Sequence, residues 1–233
     1  MRILVVAATL FEIRPFVNKL HSTGRKSENI TGYSCPGHEI DVLITGVGMV
    51  PTAYYLGRQL AVQRYDLSIN AGIAGTFSRS LSLGAVVQVV EDCVPELGAE
   101  DGDNFLSVFE LGLSDPDATP YQGGKLVNNT MASLPWNNIQ VISKLPHVKA
   151  ITSNTVRGSA ASIARILRIA TADIESMEGA AFFYACLSEK VPCLQIRAVS
   201  NYVEERDKSN WNLDLALKNL NKTMWKIVST LPN

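Results

Sequence analysis

Three carboxylates and one amide stand where an α/β chain could use them for chemistry. Glu12 closely follows the apolar run Ile3–Ala8, at the start of an amphipathic segment. A carboxylate in that place is either a helix-start acid favoured by the helix dipole or a general base at the end of a strand. Glu175 and Glu178 flank Ser176-Met177 at the entry to the strongly apolar Gly179-Ala-Ala-Phe-Phe183. Glu178 reads equally as a first-turn helix acid and as a partly buried carboxylate accepting two hydroxyl hydrogen bonds from a sugar, a task that suits a charged acceptor. Asn201 ends Arg197-Ala-Val-Ser-Asn201, either as a turn residue or as an amide that reads the edge of a heterocycle. Arg206-Asp207 reads by default as an exposed ion pair, worth little. Gly46-Val-Gly48 and Gly72-Ile-Ala-Gly75 lack the third glycine of a dinucleotide fingerprint. Each is taken as a tight strand-to-helix turn, although Gly72–Gly75 could also admit a flat ligand close to the backbone.

Composition limits the chemistry further. The chain has 233 residues, which favours one domain over two. Hydrophobic residues make up 46% and charged residues 18%, a balance incompatible with intrinsic disorder. A net charge of -1 without a basic run argues against a nucleic-acid surface or a polybasic membrane contact. His21, His38 and His147 share no ligand-type spacing, and Cys35, Cys93, Cys186 and Cys193 contain no CxxC pair, so no metal site is expected. The apolar opening is interrupted by Glu12 and Arg14 and fits a buried strand better than a signal peptide. No run approaches the roughly 18 apolar residues of a membrane span. Scattered thiols then fit a reducing cytoplasm. Any enzyme here would work with carboxylates, amides and backbone donors.

The elements that must position these groups alternate in type. Strands are expected at 3–8, 41–45, 67–70, 85–90, 148–152 and 193–200. Helices are expected at 11–20, 49–63, 159–170, 177–189 and 210–229, and residues 96–124 read as one long loop. Alternating strands and helices imply a single α/β domain, with a mixed, mostly parallel central sheet and helices on both faces. Ligands in such sheets sit beyond the carboxyl ends of the strands. Those ends fall at 9–12, 45–48, 70–75, 152–158 and 200–207.

Taken together, the segments Val5-Val-Ala-Ala-Thr-Leu-Phe-Glu12, Thr45-Gly-Val-Gly48, Ile69-Asn-Ala-Gly-Ile-Ala-Gly75, Glu175-Ser-Met-Glu-Gly179 and Arg197–Asp207 resemble the nucleoside phosphorylase/nucleosidase superfamily. Within its hydrolase branch the chain is most similar to the members that cleave futalosine, in the alternative menaquinone pathway. The resemblance implies an α/β/α sandwich, no cofactor, a purine nucleoside as small-molecule partner, and a homodimer or a higher oligomer built of dimers. It implies that Glu12 activates water for attack at the sugar C1′, that Glu178 grips the ribose hydroxyls, and that Met177 packs under the sugar. Ile73, Ala74, Gly75, Thr155, Val156, Ser176 and Ser200 then fall where the family holds sugar and base.

Two departures carry information. Adenine-specific nucleosidases have Asp where this chain has Asn201. An amide cannot supply a proton to N7, but its NH2 can donate to N7 or O6 of hypoxanthine. Thr155 stands near where those enzymes stack an aromatic ring on the base, so stacking must come from elsewhere or be weaker. Arg206 or Arg157 could pair with the carboxylated tail of futalosine. The alternatives are a methylthioadenosine/S-adenosylhomocysteine or aminodeoxyfutalosine nucleosidase, a phosphorylase, and a non-catalytic nucleoside binder. A phosphorylase is disfavoured because Ala7–Glu12 contains no glycine and puts an acid where phosphate would sit.

Overall fold

Residues Arg2–Ala7 form strand β1, and its alternation sets the architecture. Ile3, Val5 and Ala7 enter one hydrophobic core, while Leu4 and Val6 enter a second on the opposite face of the sheet. A strand buried on both faces needs helices on both sides. The computed structural model describes residues 1–130 and 139–232. After β1 come α1 (Leu10–Val17), β2 (His21–Arg25), β3 (Ile30–Cys35), β4 (His38–Ile44), α2 (Met49–Val62), β5 (Leu67–Thr76) and β6 (Val86–Cys93). The middle of the chain gives β7 (Gly98–Asp101), β8 (Asn104–Ser107), β9 (Leu126–Val127), α3 (Gln140–Ser143), β10 (His147–Thr152) and α4 (Ala160–Ile169). The chain closes with β11 (Ile174–Ser176), α5 (Gly179–Ser188), β12 (Cys193–Tyr202) and α6 (Leu213–Thr230).

The main sheet runs β11-β10-β6-β12-β5-β1-β4-β3-β2, with β9 on β6. Its centre, β12-β5-β1-β4, is parallel, whereas β12 and β6 are antiparallel. Strand β11 pairs both with β10 and with the end of β5, so the strands from β5 round to β11 close on themselves. Helices α1, α3 and α6 cover one face, and α2 and α5 the other. The expected single-domain α/β class therefore holds, with a mixed sheet. No helix among the described residues is long and apolar enough to cross a membrane.

Several expectations need correction. Gly72–Gly75 is not a strand-to-helix turn, because β5 runs unbroken through it to Thr76. The presumed loop at 96–124 contains the two-stranded β7–β8 hairpin. Both β7 and β2 are exposed along their whole length, so neither shows the apolar alternation that betrays a strand. The closing helix begins at Leu213 rather than 210, which leaves Trp211 outside it.

One contact between helices bears directly on the site. Asn221 on α6 is 4% exposed and reaches α1. Its Oδ1 accepts from the Phe16 N–H at 2.8 Å, and its Nδ2 donates to the Glu12 carbonyl at 2.8 Å. These are the two backbone groups that an α-helical turn pairs with each other. Pro15, just before Phe16, carries no N–H of its own. The amide of α6 thus ties down the turn of α1 that carries Glu12.

Candidate active site

The carboxyl ends of β1, β5, β11 and β12 meet around a cavity of about 260 Å³. Glu12, Glu178 and Asn201 all line it, together with Ile73, Ala74, Gly75, Thr155, Val156, Ser176, Met177 and Ser200. Arg206 does not line it. That arginine is exposed, and its guanidinium lies over the Trp211 ring, 5.5 Å from the centroid. Asp207 does not pair with it; it accepts instead from the Ser209 N–H at 2.9 Å.

Glu12 is a helix-start acid that also faces the cavity. One oxygen accepts from the Thr9 N–H at 3.0 Å, as the returning arm of a capping box. The other accepts from the Ile73 N–H at 3.2 Å on β5. The side chain is buried, and burial raises its pKa above the ordinary carboxylate range. The positive charge of Arg197 and the Ile73 N–H pull in the opposite direction, and the nearby Glu178 adds to the rise.

Glu178 is not a first-turn acid. It is the residue before α5, and one oxygen accepts from the Gly48 N–H at 3.0 Å. Gly48 has φ +102°, a conformation that favours glycine and that turns its N–H toward Glu178. The second Glu178 oxygen lies 3.9 Å from Arg197 Nη1.

Arg197 sits beneath the cavity floor and is 1% exposed. It donates to Asn70 Oδ1 through Nη2, and to Gln195 Oε1 through Nε at 3.2 Å and Nη2 at 3.1 Å. Gln195 can present its oxygen because its Nε2 donates to Asp92 at 3.0 Å. A side chain at Gly72 would collide with Arg197 Nη1 and crowd Glu12, which explains a glycine inside a strand. Asp92 is fully buried and also accepts from Thr152 Oγ1 at 2.9 Å. Burial pushes its pKa up to about 6, against the hydrogen bonds from Gln195 and Thr152 and the Arg197 charge.

The base-reading candidate owes its place to a bulge. Val199 pairs with Ala74 and Asn201 with Gly75, which leaves Ser200 as an extra residue in β12. Strict alternation would turn one of Ser200 and Asn201 away, and the bulge brings both to the cavity. Ser200 Oγ donates to Asn201 Oδ1 at 2.8 Å, and Asn201 Nδ2 donates to the Tyr202 carbonyl at 3.0 Å. The amide oxygen is thereby engaged, and one N–H of Nδ2 remains for a ligand.

Arg157 is not available to a substrate tail. It is buried and forms ion pairs with Glu175 at 3.0 Å and Glu96 at 2.7 Å. Glu175 therefore anchors the 153–158 loop, although it also borders the cavity. Besides Glu175, five lining residues were not among the sequence candidates: Ala8, Thr9, Val47, Phe11 and Trp211. The last two supply the cavity's aromatic wall. Trp211 was hidden by the expected helix and Phe11 by its place among core-like apolar residues. No described group of three or more His, Cys, Asp and Glu could hold a metal ion.

The phosphorylase superfamily profile matches residues 2–230, and the chain belongs to that superfamily. It is 32% identical over 197 residues to futalosine hydrolase of Streptomyces coelicolor, covering 82% of this chain and 79% of the relative. Two solved structures have the same fold. A 5′-methylthioadenosine/S-adenosylhomocysteine nucleosidase of Colwellia psychrerythraea in complex with adenine matches with TM-score 0.80 and 19% identity, covering 98% of this chain and 95% of that one. Futalosine hydrolase of Helicobacter pylori matches with TM-score 0.80 and 16% identity, covering 99% and 98%.

The raised pKa of Asp92 has a testable sign. Between the ordinary aspartate range and about 6, the folded protein holds a proton that the unfolded chain has released. Its contribution to stability is therefore lost as pH rises through that window. The neutral isostere in Asp92→Asn escapes this loss. Urea unfolding of both proteins should show the variant gaining roughly 2–3 kcal/mol relative to wild type between pH 4 and pH 7. A difference that stays flat with pH would contradict the assignment.

Proposed function

We propose that this protein is a cofactor-free N-glycosyl hydrolase that releases hypoxanthine from futalosine, leaving dehypoxanthine futalosine, in the alternative route to menaquinone. Superfamily membership and nucleosidase relatives support glycosidic cleavage. The observation that carries hydrolysis over phosphorolysis is the charge of the cavity. Among its described lining residues are Glu12, Glu175 and Glu178, and no lysine or arginine. A phosphate nucleophile would meet these carboxylates, while the arginines behind them, Arg157 and Arg197, are already held by Glu175, Glu96 and Glu178 and do not line the cavity; neutral water is not repelled.

In this reading Glu12 takes a proton from water as the water oxygen bonds to C1′ and the C1′–N9 bond breaks. The free face of Glu178 accepts the ribose hydroxyls, and the half-buried Met177 packs under the ring. Ile73, Ala74 and Gly75 give a flat strand edge to the base, with Thr155, Val156, Ser176 and Ser200 around it. Trp211 takes the place of the missing stacking ring. Asn201 stabilises the departing hypoxanthine through the free N–H of Nδ2, which matches N7 or O6 of a 6-oxopurine. At N7 the two purines are alike, and the discrimination lies at position 6: an N–H directed at O6 of hypoxanthine would face the amino group of adenine, and an unmatched buried polar pair is costly. The same reading includes assembly through dimers, supported by the exposed Val50 and Tyr54 on α2 and Tyr184 on α5.

The direct test incubates pure protein with futalosine, inosine and methylthioadenosine and separates the free bases. Hypoxanthine from futalosine is expected, with methylthioadenosine intact. Adenine from methylthioadenosine with futalosine untouched would establish the adenine-specific alternative instead. Glu12→Gln should lower kcat on futalosine by about 10²–10⁴-fold, the range for a lost general base, while binding of hypoxanthine changes little. Unchanged turnover in that variant would remove Glu12 from the mechanism.

A further inference from the structure

A second concavity of about 670 Å³ lies between α1 and α6, and Phe11 borders both it and the active-site cavity. The two are successive stretches of one surface. On α1, Arg14 and Pro15 follow Phe11 by about one helical turn. On the other wall, α6 begins two residues after the cavity-lining Trp211 and carries Asp214 and, one turn further on, Lys218. The outer groove is strongly basic. Arg14 lines it from α1, Lys19 from the turn that follows α1, and Lys218 and Lys222 from α6, with Asp214 as the one acid among its described lining residues. Among the described residues, none of the four cations has an ion-pair partner. Lys19 lies over the Trp225 ring, 5.3 Å from its centroid. Lys218 and Lys222 are four apart on α6, a like-charge spacing that costs helix stability. In a chain of net charge -1 this is a local excess that an anion would relieve.

We propose that this groove is the subsite for the carboxylate of the nucleoside's tail, a proposal that rests on the futalosine reading above. The base is taken by Asn201 and the ribose hydroxyls by Glu178. The tail on the sugar's remaining side then leaves the cavity past Phe11, which is 61% exposed and can stack on the tail's aromatic ring. Leu217 continues the apolar floor, and Arg14 and Lys218 stand on the two walls where the carboxylate arrives. The groove meets a need that the cavity itself cannot, since the described lining of the cavity carries acids and no cation. It also replaces Arg157, which is consumed by Glu175 and Glu96, and Arg206, which lies on Trp211 outside the cavity.

The test compares kcat/KM for futalosine and for its carboxylate methyl ester at low salt, in wild type, in Arg14→Gln/Lys218→Gln and in Arg206→Gln. Wild type should prefer the acid by about tenfold, the double variant should lose that preference through KM, and Arg206→Gln should keep it. Added salt should erode the wild-type preference, because exposed charges are screened. A double variant that still prefers the acid, or an Arg206→Gln variant that alone abolishes the preference, overturns the groove assignment. Equal cleavage of acid and ester by wild type also overturns it while leaving the hydrolase reading standing. If neither compound loses its base, the hydrolase reading falls and the subsite falls with it.

Discussion

The buried guanidinium of Arg197 is the interaction on which the site depends. It lies beneath the cavity, and three buried carboxylates, Glu12, Glu178 and Asp92, gather near it. Removing such ions from water costs several kcal/mol each, and only close hydrogen bonding and opposite charge offset the cost. Asn70 and Gln195 provide the neutral acceptors, and Asp92 fixes the orientation of the Gln195 amide. One positive charge does not balance three negative ones. The pKa values of Glu12 and Asp92 therefore stay raised by burial although Arg197 opposes the shift. A carboxylate with a raised pKa and a free face toward a cavity is a stronger proton acceptor than an exposed one.

The fold serves this cluster by small deviations from regular structure. Gly72 removes a side chain from β5 where Arg197 and Glu12 must approach. Gly48 turns an N–H toward Glu178, and the extra residue in β12 turns Ser200 and Asn201 to the same side. Asn221 clamps α1 from α6 at the backbone of Glu12 itself. Each device fixes a functional group through a backbone constraint rather than a flexible side chain, and rigid placement is what a preorganised site requires.

Local pattern revealed the long buried elements and the acids at strand ends. A continuous apolar run marked β1, because strands covered on both faces contain few polar residues, and shorter apolar or β-branched stretches marked β4, β6 and β12. Glu12, Glu178 and Asn201 stood out as polar residues at those ends, and the structure brings them to one cavity. The remainder depended on contacts distant in sequence. Neither the exposed β2 and β7 nor the three-residue β11 has an apolar period to detect. Arg157 looked available to a ligand until Glu96 and Glu175 were found on it, 61 and 18 residues away. Asp92 and Asn221 act across 103 and 209 residues of chain, and no spacing rule reaches that far.

In the proposed reaction, water held by Glu12 in an anionic cavity attacks C1′. The measurement that tests it most directly is turnover of futalosine in ¹⁸O-labelled water containing inorganic phosphate, with the sugar product examined by mass spectrometry. The account predicts one ¹⁸O atom at C1′ of a free sugar, formed at a rate independent of phosphate. A sugar 1-phosphate, or base release that requires phosphate, would contradict it.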